Sequence, residues 1–253
     1  MIEKRVALSS TGTAQDGGFR LRGLEVTRVE ALSDVVFGFA LTLVGVSLSV
    51  PRTFDQLLEA MREFPAFAVC FGILILLWHD HYIFFRRYGL QDNRTIVLNS
   101  LLLFLVILYV YPLKFLFSVL VILATTAGAP MVQMPDRKLA VMISIHQARW
   151  LTFIFGIGFA AVYAVLALLY THALGLREEL HLNALEIFES RERTVRYLLL
   201  CGVGVIASLC ALGASSGHWA GWVFASIPVV RMTHFSIARR YRTRLKAIAS
   251  NPF

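Results

Sequence analysis

The sequence reads Arg28-Val-Glu-Ala-Leu-Ser-Asp34 immediately before the apolar run Val35-Val-Phe-Gly-Phe-Ala-Leu-Thr-Leu-Val-Gly-Val-Ser-Leu-Ser-Val50. The run is long enough to enter a bilayer, and three ionisable side chains stand at its entrance. Charged groups are costly in lipid, so in a membrane protein they mark helix contacts or a pathway inside a bundle. This stretch therefore predicts a membrane helix with a polar entrance.

The composition of the whole chain agrees with a membrane protein. It is 57% hydrophobic and 16% charged over 253 residues, with a mean hydropathy of +0.68. A soluble domain has about a quarter of its residues charged. The net charge is +8, but the basic residues cluster beside apolar runs. They are therefore predicted to set topology and contact membrane lipids, and no nucleic-acid partner is expected.

Six apolar blocks approach the length of about 20 residues that a membrane-spanning helix needs. The second opens at Pro65, which suits the first turn of a helix. The blocks predict an all-α integral membrane protein with six transmembrane helices per subunit: Val29 to Val50, Phe64 to Phe85, Ile96 to Leu123, Trp150 to Leu174, Val195 to Ala214, and His218 to Phe235.

The arginines predict the orientation of these spans. They are denser before the first span, after the second, between the fourth and fifth, and after the sixth. By the positive-inside rule, this multi-pass protein has both termini in the cytoplasm, and we expect it in the cell membrane. The predicted division is a flexible cytoplasmic tail (1–27), a six-helix domain (28–238) and a basic cytoplasmic tail (239–253). The charged connection 175–194 is predicted to extend a helix beyond the membrane.

The first helix carries an apolar stripe and a polar entrance. Phe39, Leu43 and Val46 share one face, with Thr42 beside them. This spacing is typical of lipid contact or core packing as well as of a pore. Arg28 and Asp34 are six residues apart, roughly 240° around a helix, so their partners must come from other helices or another subunit. Asp34 is either a buried acid that ties helices together or a group at a pore entrance.

The second and third spans add polar residues near the same membrane depth. His79 and His81 are about 200° apart on a helix and therefore do not form a metal pair. His81 can instead reach Asp34 or Asn99. No nucleophile triad and no GxxxxGK[ST] loop occurs, so neither an enzyme nor a cofactor is predicted. Thr-Val-Gly-Tyr-Gly is also missing, which excludes that type of carbonyl-lined filter.

Three separated features together resemble a known family. They are Arg28-x-x-x-Leu32-Ser33-Asp34 followed by Thr42-Leu43 and Pro51; Trp78-x-x-His81 with Phe85; and Asn99 followed by Pro112. The pattern is similar to the transmembrane protein 175-like potassium channels, in their single-repeat prokaryotic branch. The resemblance covers roughly residues 28 to 112.

The resemblance implies a homotetramer with a central pore lined by the first helix, permeable to potassium and other monovalent cations without the usual filter. It implies a hydrophobic constriction at Phe39, Leu43 and Val46, and a polar pore position at Thr42. It also implies a hydrogen-bonded structural network below the pore, made of Arg28, Ser33, Asp34, Trp78, His81 and Asn99. Two residues depart from the family pattern. Leu32 replaces Phe, and Phe39 replaces Ile or Leu, so four phenyl rings would close the pore more bulkily or rotate aside.

Two other classes of function stay open on the sequence. A secondary transporter would use Glu30, Asp34 and His81 as a substrate site, and inverted repeats or broken helices would favour it. The chain could also be a non-transporting membrane scaffold. Ion flux in liposomes distinguishes a channel or transporter from a scaffold, and saturable flux that needs a co-substrate identifies a transporter.

Overall fold

The computed structural model describes residues 15–16, 18–46, 52–125, 131–133, 139–213, 223–224 and 226–227. Within these ranges the structure has five long helices: α1 (Arg28–Val46), α2 (Phe54–Tyr88), α3 (Asn93–Thr125), α4 (Ile145–Gly175) and α5 (Ala184–Gly213). By length and composition, the four helices from α2 to α5 can each cross a membrane. The predicted sixth span lies almost wholly outside the described residues, and the tail 239–253 lies entirely outside them.

Two short antiparallel strand pairs accompany the helices and leave the predicted all-α class unchanged. In the first, β1 (Gln15–Asp16) pairs with β2 (Phe19–Arg20) just before α1. In the second, β3 (Met131–Gln133) pairs with β4 (Leu139–Val141) between α3 and α4. Strands of two or three residues are too short to show the alternation by which a sequence predicts them.

The second helix begins earlier than its apolar block. It starts at Phe54, ten residues before the predicted opening at Phe64, and Pro65 lies inside it. Thr53 caps this start, because its side chain accepts a hydrogen bond of 3.3 Å from the Gln56 N–H. The helix ends at Tyr88 and is capped by Gly89, whose φ of 59° allows its N–H to bond to the Phe85 carbonyl at 2.8 Å. The first turns of α2 are thus fixed by capping and helix propensity rather than by hydrophobicity.

The fifth helix also begins before its apolar block, at Ala184 rather than Val195. The charged residues 184–194 are therefore helical, as the pattern of the connection predicted. Several of them are buried, including Glu186 and Glu189. Each of these acids pairs with an arginine from elsewhere in the chain, which allows its burial.

The tightest helix packing is between α4 and α5, where two glycines face each other. A Cβ atom on Gly204 would lie 2.7 Å from the Gly156 carbonyl, and one on Gly156 would lie 2.8 Å from the Gly204 carbonyl. Small residues allow membrane helices to approach this closely. α3 packs on α4, and α1 packs on both α2 and α3. This order leaves part of α1 uncovered.

The segment from Phe19 to Thr27, called here the N-terminal arm, packs against the bundle, although the sequence predicted a flexible tail up to residue 27. Phe19 and Arg22 are buried. The N–H groups of Arg22 and Gly23 both bond to the Arg86 carbonyl, at 3.1 and 3.0 Å. The arm is held by partners at the end of α2 and the start of α5. Because these partners are far away in the sequence, the sequence did not predict the contact. The division of the chain at residues 28 and 238 stays a prediction.

Candidate functional site at the polar end of the bundle

One end of the bundle concentrates the polar side chains. We call it the polar end; it comprises the N-terminal arm, the start of α1, the end of α2, the start of α3, the end of α4 and the start of α5. Buried polar residues here include Glu30, Ser33, His81, Asn99 and Glu186. Because buried polar groups need hydrogen-bond partners, their contacts define what this end is built to hold together.

Ser33, His81 and Asn99 form a buried chain of hydrogen bonds across α1, α2 and α3. The Asn99 Nδ2 group donates to Ser33 Oγ at 3.0 Å, and Ser33 Oγ donates to the Val29 carbonyl at 2.8 Å. The Asn99 Oδ1 atom lies 2.8 Å from His81 Nε2. Since Asn99 Oδ1 can only accept, His81 donates from Nε2. The three side chains therefore form one directed chain from α2 through α3 to α1.

Asp34 and Trp78 form a second, separate link. The Trp78 Nε1–H donates to Asp34 Oδ1 at 2.8 Å, and the indole stacks on Tyr82. Of the two partners predicted for His81, the structure has Asn99 and not Asp34. Arg28 is exposed, and within the described parts of the chain it makes no hydrogen bond or ion pair. The six predicted network residues thus fall into one group of three, one pair and an unpaired arginine.

Glu30 caps its own helix. Its backbone N–H bonds to Thr27 Oγ1 at 3.2 Å, and its carboxylate accepts from the Thr27 N–H at 3.4 Å. This reciprocal arrangement is a capping box. Glu30 is buried whereas Asp34, one turn further along, is exposed. The two carboxyls that the sequence placed on one face therefore have different surroundings.

The two faces of α1 differ in burial. Phe37, Ala40 and Val44 pack against the bundle and are at most 2% exposed. On the opposite face, Val35 is 69% exposed and Phe39 is 54% exposed, and both are apolar. In a membrane protein such a surface contacts either lipid or another subunit.

Three of the four predicted pore positions, Phe39, Thr42 and Leu43, lie on or beside this uncovered face. Thr42 is exposed, and its hydroxyl donates to the Gly38 carbonyl at 2.8 Å. Leu43 is partly buried and packs on the core. The side chain of Val46 lies outside the described part of the structure. Val35 was not singled out from the sequence, although it precedes Phe39 by four residues and so shares its face.

The most connected acid of the polar end is Glu186, which sequence reasoning missed. Its carboxylate accepts from the Arg20 N–H at 2.9 Å, from the Arg22 Nη2 group at 2.9 Å and from the Asn183 N–H at 3.0 Å. Arg20 Nη2 is a further donor at 3.0 Å. The hydrogen bond and charge of Glu186 raise the pKa of Arg20. This acid therefore ties the N-terminal arm to α5.

The same face of α5 continues toward α2. Glu189 accepts from Arg87 at 2.9 Å, Ser190 contacts the Tyr88 hydroxyl at 2.5 Å, and Arg193 lies 3.8 Å from Asp80. Counted from Glu186, these three α5 residues follow at three, four and seven positions, the spacing of one helix face. The spacing could have indicated a polar helix face from the sequence, but the partners of Glu189 and Ser190 are about a hundred residues away and cannot be identified from it.

A third polar contact joins the start of α3 to the end of α4. Asp92 Oδ2 lies 2.8 Å from His172 Nε2, and Asp92 Oδ1 accepts from Thr95 Oγ1 at 2.5 Å. Burial raises the pKa of Asp92, but the hydrogen bonds from Thr95 and His172 outweigh it and hold this pKa below its ordinary value. Asp92 also caps α3 by accepting from the Thr95 N–H at 3.4 Å.

These contacts join helices, and they engage the buried polar side chains in hydrogen bonds and ion pairs. Within the described ranges, no group of three or more His, Cys, Asp or Glu side chains is arranged to hold a metal ion. His79 is exposed while His81 is buried, which fits their separate directions on α2. The polar end is built to hold helix ends together beside an uncovered α1 face.

Comparison with known proteins follows the same regions. The family model for the endosomal/lysosomal potassium channel TMEM175 matches residues 28–109. A potassium channel of Marivirga tractuosa is 38% identical over 194 residues, covering 77% of this chain and 78% of that protein. A potassium channel of Chamaesiphon minutus is 30% identical over 105 residues, covering 38% of this chain and 52% of that protein.

Solved structures give the same answer for the fold. A variant of the potassium channel MtTMEM175, crystallised with a nanobody–MBP fusion, matches with a TM-score of 0.75 and 31% identity, over 90% of this chain and 100% of that one. A TMEM175 homolog from Chamaesiphon minutus has the same fold, with a TM-score of 0.51 and 22% identity, over 84% and 96% of the two chains. From the motif region, the extended identity and the shared fold, this chain belongs to the TMEM175 family.

Proposed function

We propose that this protein is a potassium-permeable cation channel in the cell membrane, a homotetramer whose first helices surround a central pore. One observation carries the proposal: α1 is packed on one face and presents apolar, exposed side chains on the other. Four copies that bring this face to a common axis would cover it. Relatives at 38% and 30% identity are named potassium channels, which supports the choice of ion.

The proposed pore has a hydrophobic constriction at Phe39, continued by Leu43 and Val46. A ring of apolar side chains can block ions by dewetting, because a cation stripped of water finds no oxygen there. Thr42 supplies the nearest hydroxyl. Its proton is directed to the Gly38 carbonyl, so the lone pairs of Oγ1 stay available to a passing cation. Selectivity in this proposal does not come from a carbonyl-lined filter.

Potassium flux into liposomes tests the constriction. Phe39→Ala and Phe39→Asn should raise flux, because they widen or wet the ring, and should weaken discrimination against sodium. Phe104→Ala on α3 is the matched control, since Phe104 is similarly exposed at 62% but lies on another helix. If both Phe39 variants assemble normally and conduct as the wild type does, Phe39 does not line the pore.

The network of Arg28, Ser33, Asp34, Trp78, His81 and Asn99 is proposed to support assembly. Asp34 is exposed, although its Oδ1 atom accepts from Trp78, and Arg28 has no polar partner within the described residues, so Asp34 Oδ2 and Arg28 can contact a neighbouring subunit. Asp34→Ala should therefore reduce the recovery of tetramer on size exclusion. A stable tetramer with altered flux alone would make Asp34 a pore residue instead.

The proposed topology has six spans and two cytoplasmic termini. It is supported by the arginine distribution and by the gathering of charged side chains at the polar end. Labelling of cysteines introduced into the N-terminal tail and into the loop at Ser215 tests it. External labelling of the tail in intact cells would overturn the orientation.

The transporter alternative is less well supported. Of its three candidate side chains, Glu30 is engaged in a capping box and His81 in the chain to Asn99. Flux that saturates and requires a co-substrate would nevertheless replace the channel proposal.

A further inference from the structure

A cavity of about 710 Å³ opens between the first turns of α3 and the last turns of α4. Its polar side is formed by Arg94, Thr171 and His172, and its apolar side includes Val97, Leu168 and Leu176. The volume is in the range of small-molecule binding sites. None of its lining residues is used by the proposed pore or by the network below it.

The cavity offers a cation with no assigned partner. Arg94 is exposed, and among the described residues no hydrogen bond or ion pair to it is found. The nearby Asp92 carboxylate is already engaged by His172 and Thr95. Arg94 is also the second residue of α3, where the first N–H groups of a helix lack partners within it and favour negative charge. The polar side of the cavity is therefore suited to an anion.

The apolar side continues along the surface of two membrane-crossing helices. Val97 is 66% exposed and Leu168 is 51% exposed. A free anion gains nothing from contact with these apolar side chains, whereas an acyl chain would cover them. Basic pockets between transmembrane helices at the membrane surface are known to suit anionic lipid headgroups.

We propose that this cavity binds a phospholipid with an anionic headgroup, the phosphate at Arg94 and the acyl chain over Val97 and Leu168. This lipid site is independent of ion conduction and of the proposed pore. It is also distinct from the uncovered face of α1, which is assigned above to contacts between subunits.

Lipid binding is tested by native mass spectrometry of the purified, delipidated protein titrated with 1-palmitoyl-2-oleoyl-phosphatidylglycerol. Arg94→Gln should weaken binding about fivefold to tenfold, because one charge near the membrane surface is lost. Leu168→Trp should weaken it comparably by filling the apolar side. Arg191→Gln is the matched control: Arg191 is exposed at the same end of the bundle but does not line the cavity. It should leave binding unchanged.

Three outcomes would overturn the proposal. Equal loss of binding in the Arg94→Gln and Arg191→Gln proteins would mean general attraction to a basic surface. Displacement of the lipid by excess inorganic phosphate, together with no effect of Leu168→Trp, would mean a simple anion site. A change in subunit number in the Leu168→Trp protein would mean that a second copy of the chain occupies the cavity.

Discussion

Replacement of Glu186 should release the N-terminal arm from the bundle. The Glu186 side chain is fully buried, and that of Arg22, its partner at 2.9 Å, is only 1% exposed. Glu186→Gln removes the charge while keeping the volume, so Arg22 stays buried without its counter-ion. Breaking a buried pair in this way costs about 3–5 kcal/mol. Gln can still accept from the Asn183 N–H, so we expect the free energy of unfolding to fall by about 3 kcal/mol.

The arm itself provides a direct readout. Trypsin cleaves after arginine, and Arg22 is protected in the wild type because it is buried and its N–H bonds to the Arg86 carbonyl. In the Glu186→Gln protein we expect rapid cleavage at Arg22, identified by mass spectrometry, together with a lower midpoint of thermal unfolding in detergent.

Glu178→Gln is the matched control for this experiment. The Glu178 side chain is 90% exposed and lies 3.9 Å from Arg177. Its replacement should change stability by less than about 0.5 kcal/mol and leave Arg22 protected. If the two variants unfold alike and Arg22 stays protected in both, the buried ion pair does not hold the arm.

Three further predictions concern the helix contacts. Asn99→Ala should cost about 1–3 kcal/mol, measured by denaturant unfolding, because two buried polar groups lose their partner; the exposed neighbour variant Ser100→Ala should cost far less, and equal losses would contradict the directed chain. Gly204→Ala should destabilise the α4–α5 contact by about 1–3 kcal/mol through overpacking, whereas Gly202→Ala, where nothing lies within 4 Å, should be neutral or stabilising in the same thermal assay. Asp92 should stabilise the fold above its ordinary pKa of 3.8 and lose this contribution as pH falls through its lowered folded pKa. The difference in melting midpoint between wild type and Asp92→Asn should therefore shrink in acid. A difference that grows in acid would contradict the lowered pKa.

The sequence was most informative where a single property decided the structure. Five of the six predicted apolar blocks correspond to helices in the described residues, the sixth lies almost wholly outside them, and the motif residues led to the family. Helix starts were wrong where capping decided them, as at Thr53, and where buried charges did, as at Glu186. An isolated charge pattern such as that of residues 184–194 indicates a helix face but does not reveal that its acids meet Arg22 and Arg87.

The candidate site shows the same division. Asn99 and His81 were expected to lie close together because their spans placed them at one depth, and the structure joins them at 2.8 Å. The pairing of Asp34 with Trp78 rather than with His81 depends on the rotation of α1 against α2, which residue spacing within one helix does not determine. The pore roles of Phe39, Leu43, Val46 and Thr42 stay predictions.

The contact between the N-terminal arm and α5 joins the start of the fold to the last long helix that the structure describes. Glu186 follows Arg22 by 164 residues and Arg20 by 166. At a synthesis rate of roughly 5–20 residues per second, the ribosome makes Glu186 about 10–30 s after it has made these arginines. The first helix is therefore synthesised well before the acid that secures the arm preceding it. In a nascent chain that stops before α5, Arg20 and Arg22 have no Glu186 to pair with. Membrane insertion of the earlier helices therefore precedes the attachment of the arm.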